Sequence, residues 1–102
     1  MLRRSPEEDD MAKFLVIHHA PGVTPEQFQE NVPDILANRH ATFLHCYANM
    51  ATGAIVNLYD GEDAAAVERE MEAIGFPFDE IAEVQFDASA DDLRAMLSGT
   101  RP

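Results

Sequence analysis

The stretch ATFLHCYANMATGAIVNLY, residues 41–59, decides the fold. Its two short segments, 41–48 and 54–59, are rich in β-branched and aromatic residues. Between them, residues 49–53 contain asparagine, threonine and glycine, which are typical of turns. The stretch therefore predicts two antiparallel strands joined by a hairpin turn.

Strict alternation along the first of these strands predicts which side chains share a face. Successive residues of a strand point to opposite faces, so Phe43, His45 and Tyr47 are expected on one face and Cys46 on the other. The return strand carries Tyr59 at its end. Both faces of this hairpin hold apolar residues, which implies that both are covered.

Working back along the chain, residues 12–19 (AKFLVIHH) predict another strand, apolar on both faces and therefore central in the sheet. Residues 24–36 predict a helix, with Thr24 as its N-cap. Pro33 lies inside this helix, and we expect it to kink the helix or to split it near Asn31.

Working forward, residues 60–63 cap a second predicted helix, which runs to Ile74 and stops at Gly75. Residues 81–86 predict a last strand, with Val84 and Phe86 directed inward. A short third helix then begins after a capping segment that contains Ser89.

The predicted order β-α-β-β-α-β-α is that of an α+β protein with a ferredoxin-like βαββαβ core and an extra C-terminal helix. Its four antiparallel strands are expected in the order 4-1-3-2, with two helices on one face. The other face then lacks a cover. We expect a sheet-to-sheet homodimer to cover it, with the last helix packing on the neighbouring copy.

Composition restricts the class of function. The chain has 102 residues, 19 acids against 7 bases and a net charge of -12, which disfavours binding to nucleic acid or to an anionic membrane. No apolar run reaches the length of a membrane span, and one cysteine gives no internal disulfide, so we expect a cytoplasmic protein. Residues 1–10 predict a disordered extension, 11–98 the folded domain and 99–102 a frayed tail.

Histidines at strand positions are the best candidates for chemistry. His18 and His19 end the first strand and point to opposite faces, so His45 can pair with whichever shares its face, and Asp79 or Glu83 can add an oxygen. Imidazole is a common ligand of divalent transition metals. On the residues alone, the favoured interpretation of His45 is an ordinary half-buried strand histidine that is hydrogen-bonded to Tyr47 or to the backbone.

An enzyme is the second hypothesis. Dimeric ferredoxin-like barrels often enclose an apolar pocket in which a histidine or tyrosine moves a proton. Here His45 would act beside Tyr47, Tyr59 and Cys46. No H-E-x-x-H, C-x-x-C or phosphate-binding glycine loop is present in the sequence, so the reaction stays undefined.

Three segments carry a resemblance to a known family: 43–47 (FLHCY), 54–59 (AIVNLY) and, most specifically, 75–84 (GFPFDEIAEV). They resemble a bacterial domain-of-unknown-function family of small, dimeric ferredoxin-like proteins, which includes a nickel-binding branch. The opening strand, 12–19, resembles that branch as well. The resemblance implies the ferredoxin-like fold and a divalent metal, nickel above all.

Overall fold

The computed structural model describes residues 11–99. The predicted extension, 1–10, lies outside the described residues, as does the predicted tail apart from Gly99. In chain order the elements are β1 (Ala12–His19), α1 (Pro25–Ile35), β2 (Thr42–Asn49), β3 (Ala54–Gly61), α2 (Ala64–Ile74), β4 (Glu80–Glu83) and α3 (Ala90–Gly99).

The strands of residues 11–99 form one four-stranded sheet in the order β2-β3-β1-β4, and all neighbouring strands are antiparallel. This arrangement confirms the predicted α+β, ferredoxin-like fold with its additional C-terminal helix. β1 lies between β3 and β4, as its apolar character on both faces predicted. The homodimer stays a prediction.

The ends of α1 follow from local sequence. The Thr24 hydroxyl accepts a hydrogen bond from the Gln27 backbone at 3.1 Å, and the Gln27 side chain accepts one from the Thr24 backbone at 3.0 Å. Of the two predicted effects of Pro33, the split near Asn31 is wrong, because α1 continues through Pro33 to Ile35, while the kink stays a prediction. A proline in the last turn removes one backbone hydrogen bond and leaves the preceding turns intact.

α2 begins and ends where the sequence predicts. The Asp63 carboxylate accepts a hydrogen bond from the Ala66 backbone at 2.8 Å, which satisfies a free donor of the first turn. Gly75 adopts a left-handed conformation, with φ of 83°, and its N–H bonds the Met71 carbonyl at 2.9 Å. These caps fix the direction in which the chain leaves toward β4.

The core lies between the sheet and α2, and the sheet face directed toward it is called the inner face. Phe14 and Val16 of β1 and Tyr59 of β3 are buried there against Val67 and Met71 of α2. Alternation and register place a second set of side chains on the opposite side, which is called the open face: Lys13, Leu15, Ile17, His19, His45, Tyr47, Val56, Leu58, Glu80 and Ala82.

β4 is shorter than predicted. Its ladder with β1 ends at Glu83, and one further hydrogen bond joins the Val84 N–H to the Lys13 carbonyl at 2.8 Å. β1 itself starts at Ala12, so the following residues have no partner strand within the described chain. Phe86 is 67% exposed, and its predicted inward orientation is wrong.

A β-bulge in β2 changes which side chains share a face. Phe43 pairs with Tyr59 and the next pair is His45 with Leu58, so Leu44 is the extra residue. Phe43 and Cys46 therefore lie on the inner face, whereas His45 lies on the open face. The prediction that Phe43 shares a face with His45 and Tyr47 is wrong, because strict alternation fails at a bulge.

Candidate metal centre

His18 lies on the inner face, is 4% exposed, and uses both of its ring nitrogens. Nδ1 lies 2.7 Å from the Pro77 carbonyl oxygen and Nε2 lies 3.2 Å from the Asn57 amide nitrogen. Because a carbonyl oxygen only accepts, Nδ1 carries the proton, and Nε2 accepts from the Asn57 amide. Coordination of a metal by His18 would require one of these two hydrogen bonds to break.

Burial favours the neutral form of the His18 ring. Burial lowers its pKa below the usual value of 6.5, while the Pro77 hydrogen bond and the nearby charge of Asp79 offset part of this effect. The Phe76 ring packs against the imidazole, with ring centroids 5.3 Å apart. His18 therefore holds the loop before β4 against the sheet.

His19 and His45 both lie on the open face, and both side chains are exposed. No other group of residues 11–99 forms a hydrogen bond with either ring. The His45 ring packs against the Tyr47 ring, with centroids 4.5 Å apart, so its orientation is restricted while its nitrogens stay accessible. These two histidines have the accessibility that a metal ligand needs.

The register separates these two histidines within one chain. His45 pairs with Leu58 of β3, and Leu58 pairs with Leu15 of β1. Two strand spacings, about 10 Å, therefore separate His45 from Leu15 across the sheet. His19 lies four residues further along β1, about 13 Å at the usual rise per residue. One chain therefore does not bring His18, His19 and His45 together, and residues 11–99 contain no cluster of three His, Cys, Asp or Glu side chains suited to a metal.

A carboxylate that the sequence analysis did not select lies nearer to His19. Glu80 pairs with Ile17 on the open face, and the diagonal neighbour on β1 is His19, at about 7–8 Å between backbones. The predicted donor Glu83 pairs with Phe14, on the inner face. Asp79 is tied through its N–H to the Ile17 carbonyl at 2.7 Å. The register of β4 distinguishes these acids, and it is not readable from spacing alone.

The predicted pocket residues do not line one pocket. Tyr47 is 67% exposed on the open face, whereas Tyr59 is fully buried and Cys46 lies with it on the inner face. Burial raises the pKa of the Cys46 thiol, which disfavours the thiolate that a nucleophile requires. The hypothesis of acid–base catalysis by His45 with both tyrosines therefore loses its geometric basis.

Glu70 is a second residue that the sequence analysis missed. It is a fully buried residue of α2, and its Oε1 accepts hydrogen bonds from the backbone N–H groups of His40 at 2.6 Å and Ala41 at 3.3 Å. A signal for this burial exists, since Glu70 follows Val67 by three residues and precedes Ile74 by four. It therefore occupies the apolar stripe of its helix.

The fold and the two exposed open-face histidines define a small ferredoxin-like protein with candidate metal ligands on its uncovered sheet. A family model described as "SCO4226-like: Nickel responsive protein SCO4226-like" matches residues 14–84. This chain belongs to that family, which confirms the resemblance found in the sequence. The family description indicates nickel responsiveness, which is consistent with metal binding.

A solved structure supports the same assignment. SCO4226 from Streptomyces coelicolor A3(2), whose crystal structure is known, shares 33% sequence identity with this chain, and the two structures superpose with a TM-score of 0.68. The match covers 76% of this chain and 100% of that chain. A comparison with curated proteins gives no significant match. Among the residues that the structure describes, no helix is both long enough and apolar enough to cross a membrane.

Proposed function

We propose that this protein is a cytoplasmic homodimer that binds a divalent transition metal, nickel above all, through imidazoles of the open face. The observation that carries the proposal is the exposure of His19 and His45 on the same uncovered sheet face, in a chain of a nickel responsive family. Imidazole and carboxylate donors suit nickel in octahedral or square-planar geometry.

The spacing of these ligands favours a site made by two copies. His19 and His45 are too far apart in one chain to share an ion, since each nitrogen must lie about 2 Å from the metal. Two sheets that pack face to face lie about 10 Å apart, a gap that side chains from both copies can span. An imidazole from each copy, with the Glu80 carboxylate or water, would then complete the coordination shell.

The centre of the open face supports the same arrangement. Between the two histidines, the open face carries apolar side chains of the two central strands, β1 and β3. Each of these side chains is only partly buried in one chain. A second copy of the sheet would remove this surface from water. The apolar side chains are Leu15, Ile17, Val56 and Leu58.

Charge also favours a cation at this interface. Each chain carries a net charge of -12, so two copies repel each other while their common field attracts cations. A divalent ion bound between the copies would reduce that repulsion. The bound metal would then also bridge the two copies, which suits a protein whose family is described as responsive to nickel.

Calorimetric titration of the tag-free protein with nickel tests the proposal. We expect His45→Ala to abolish the binding heat. His40→Ala is the matched control, because His40 is an exposed histidine in the loop before β2 and contributes no side chain to the open face. Nickel binding that survives in His45→Ala at the affinity of the unsubstituted protein would rule out this ligand assignment.

A further inference from the structure

The open face carries a pair of opposite charges at the end of the sheet where β1 begins. Lys13 of β1, the only lysine of the chain, pairs in register with Asp60 of β3. Asp60 follows Leu58 by two residues, so its side chain lies on the open face together with that of Lys13. The two charges therefore lie on opposite sides of the line between β1 and β3, which is called the midline of the sheet.

The next rows of side chains across the open face are apolar at their centre. Two pairs of residues form this centre: Leu15 with Leu58, and Ile17 with Val56. The second of these rows continues to Tyr47 on β2 at one edge of the sheet and to Glu80 on β4 at the other. A phenol hydroxyl, which can donate a hydrogen bond, and a carboxylate, which accepts one, therefore lie in the same row on opposite sides of the midline.

The symmetry of a homodimer determines which positions of the open face meet. A two-fold axis sets each position of the face against another position of the same face in the second copy. When two sheets pack face to face with aligned strands, the axis lies between them and runs either along the strands or across them. An axis along the strands exchanges the two sides of the midline and keeps each row. An axis across the strands keeps each strand and exchanges the two ends of the sheet.

An axis along the midline brings complementary groups together. It sets Lys13 of each copy against the partner's Asp60, and Tyr47 of each copy against the partner's Glu80. The apolar pairs meet apolar pairs in the centre. Packed sheets lie about 10 Å apart, a gap that a lysine and an aspartate span together, as do a tyrosine and a glutamate. The pattern of the open face is therefore complementary to itself under this symmetry.

An axis across the strands gives a poorer match. Placed at the centre of the two apolar rows, it exchanges the row of Lys13 and Asp60 with the row in which His19 pairs with Ala54. Lys13 then faces the partner's His19, and Asp60 faces the partner's Ala54. A carboxylate that is covered by a methyl group loses water without gaining an opposite charge, which is costly. The register therefore distinguishes between the two axes.

We propose that a second copy of this chain docks on the open face with the two-fold axis along the midline of the sheet. Two ion pairs, each between Lys13 and the partner's Asp60, join the copies near one end, and interfacial charge pairs of this kind fix the register of an interface. Two hydrogen bonds, each from Tyr47 to the partner's Glu80, join them at the edges. A carboxylate has about four lone-pair sites, so Glu80 can bind a metal as well. This arrangement rests on the homodimer of the proposed function and adds its geometry.

Distances between spin labels test the direction of the axis. A nitroxide on Ala51→Cys, in the exposed hairpin turn and in a Cys46→Ala background, reports the separation of the two turns in the metal-free dimer. An axis along the midline puts both turns at the same end, and we expect their backbones about 15 Å apart, from two strand spacings and the gap between the sheets. Turns at opposite ends would lie more than about 26 Å apart, the length of a strand of 8 residues, and would overturn the proposal.

Charge reversal tests the pairing itself. Lys13→Asp gives a chain with aspartate at both positions, and Asp60→Lys gives a chain with lysine at both. We expect each variant alone to dimerise at least about 10-fold more weakly than the unsubstituted chain, because like charges then face each other. Mixing the two variants restores opposite charges at both contacts, so the heterodimer should dominate in native mass spectrometry. A mixture without this preference would overturn the proposal.

A matched control separates this pairing from a diffuse effect of net charge. Arg69→Asp and Glu72→Lys, both on the exposed side of α2, change the net charge by the same amounts, and their mixture should show no preference for the heterodimer. Failure of the arrangement also differs from failure of the proposed function. A chain that is monomeric in ultracentrifugation would overturn the homodimer and the arrangement together, whereas a dimer with distant turns would overturn the arrangement alone. Both tests use protein without nickel, so nickel binding affects neither result.

Discussion

The Nδ1 atom of His18 donates a hydrogen bond of 2.7 Å to the carbonyl oxygen of Pro77, 59 residues further along the chain. This contact fastens the loop before β4 to the end of the central strand. It also fixes the tautomer of the ring, because the carbonyl can only accept. His18, which the sequence predicts as a metal ligand, is therefore a structural residue of the inner face.

The buried His18 makes stability depend on pH. Its folded-state pKa is lowered below 6.5, so the unfolded chain takes up a proton that the folded chain does not. We therefore expect the free energy of unfolding to be fully retained above pH 6.5 and to decrease as the pH falls below that value toward the folded-state pKa. Urea denaturation at a series of pH values measures this dependence.

His18→Gln should reduce that slope, since the titrating ring is gone, whereas the exposed His40→Gln should keep it. Carboxylates contribute to acid destabilisation in all three proteins, so the comparison between variants isolates the His18 share. Identical slopes in the unsubstituted chain and in His18→Gln would contradict the prediction.

Leu58 tests the interface. It lies on the open face between His45 and Leu15, so an aspartate at this position would bury an unpaired charge against the second copy. We expect Leu58→Asp to be monomeric by analytical ultracentrifugation with unchanged circular dichroism, and the unsubstituted chain to be dimeric. Ala73→Asp, on the exposed side of α2, adds the same charge and should leave the dimer intact. A dimeric Leu58→Asp would count against the sheet-to-sheet arrangement.

A substitution of Glu80 tests the proposed coordination shell of the metal. As a ligand, or as an acceptor for the ring N–H of a metal-bound His19, its carboxylate should strengthen nickel binding. We expect Glu80→Gln to weaken nickel affinity by about 10–100-fold, the range seen when a hydrogen-bond partner of a metal ligand is removed. Glu83→Gln, whose side chain is on the other face of β4, serves as the control in the same calorimetric titration. Equal losses in both variants would indicate a diffuse charge effect instead of a site.

Gly53 tests the hairpin turn. It has a φ of 81°, and a Cβ added there would overlap the backbone of Ala20 and Pro21. We expect Gly53→Ala to lower the free energy of unfolding by about 3 kcal/mol, because backbone strain of about 1–3 kcal/mol is joined by a steric clash. Gly22→Ala has a similar φ of 87° with open space around the new Cβ, and should lose only the strain. Denaturant titration compares them; equal losses would show that the close approach has no cost.

Local patterns predict much of this fold. The hairpin of residues 41–59 follows from β-branched and turn residues, and the helix ends follow from the Thr24 and Gly75 caps, whose hydrogen bonds are local in sequence. The order of elements then limits the topology to the ferredoxin-like sheet. Each of these features depends on neighbours in sequence, which is why the sequence suffices.

The orientation of the candidate ligands is different, because it depends on contacts between distant residues. The extra residue Leu44 is visible only in the pairing of β2 with β3, yet it decides the face of His45. The role of His18 depends on Pro77, in another loop. Glu70 lies in the apolar stripe of α2, and its burial is possible because two distant backbone N–H groups bind its carboxylate.

The bulge in β2 has a further consequence, for self-assembly. β2 is an edge strand, with its outer backbone groups unpaired within the described chain, and such edges can recruit another molecule and start fibre growth. A bulge bends its strand and interrupts the regular spacing of donors and acceptors that an incoming strand would need. The bulge that lies beside His45 therefore also disfavours the edge-to-edge stacking of copies through β2, the first step of fibre growth.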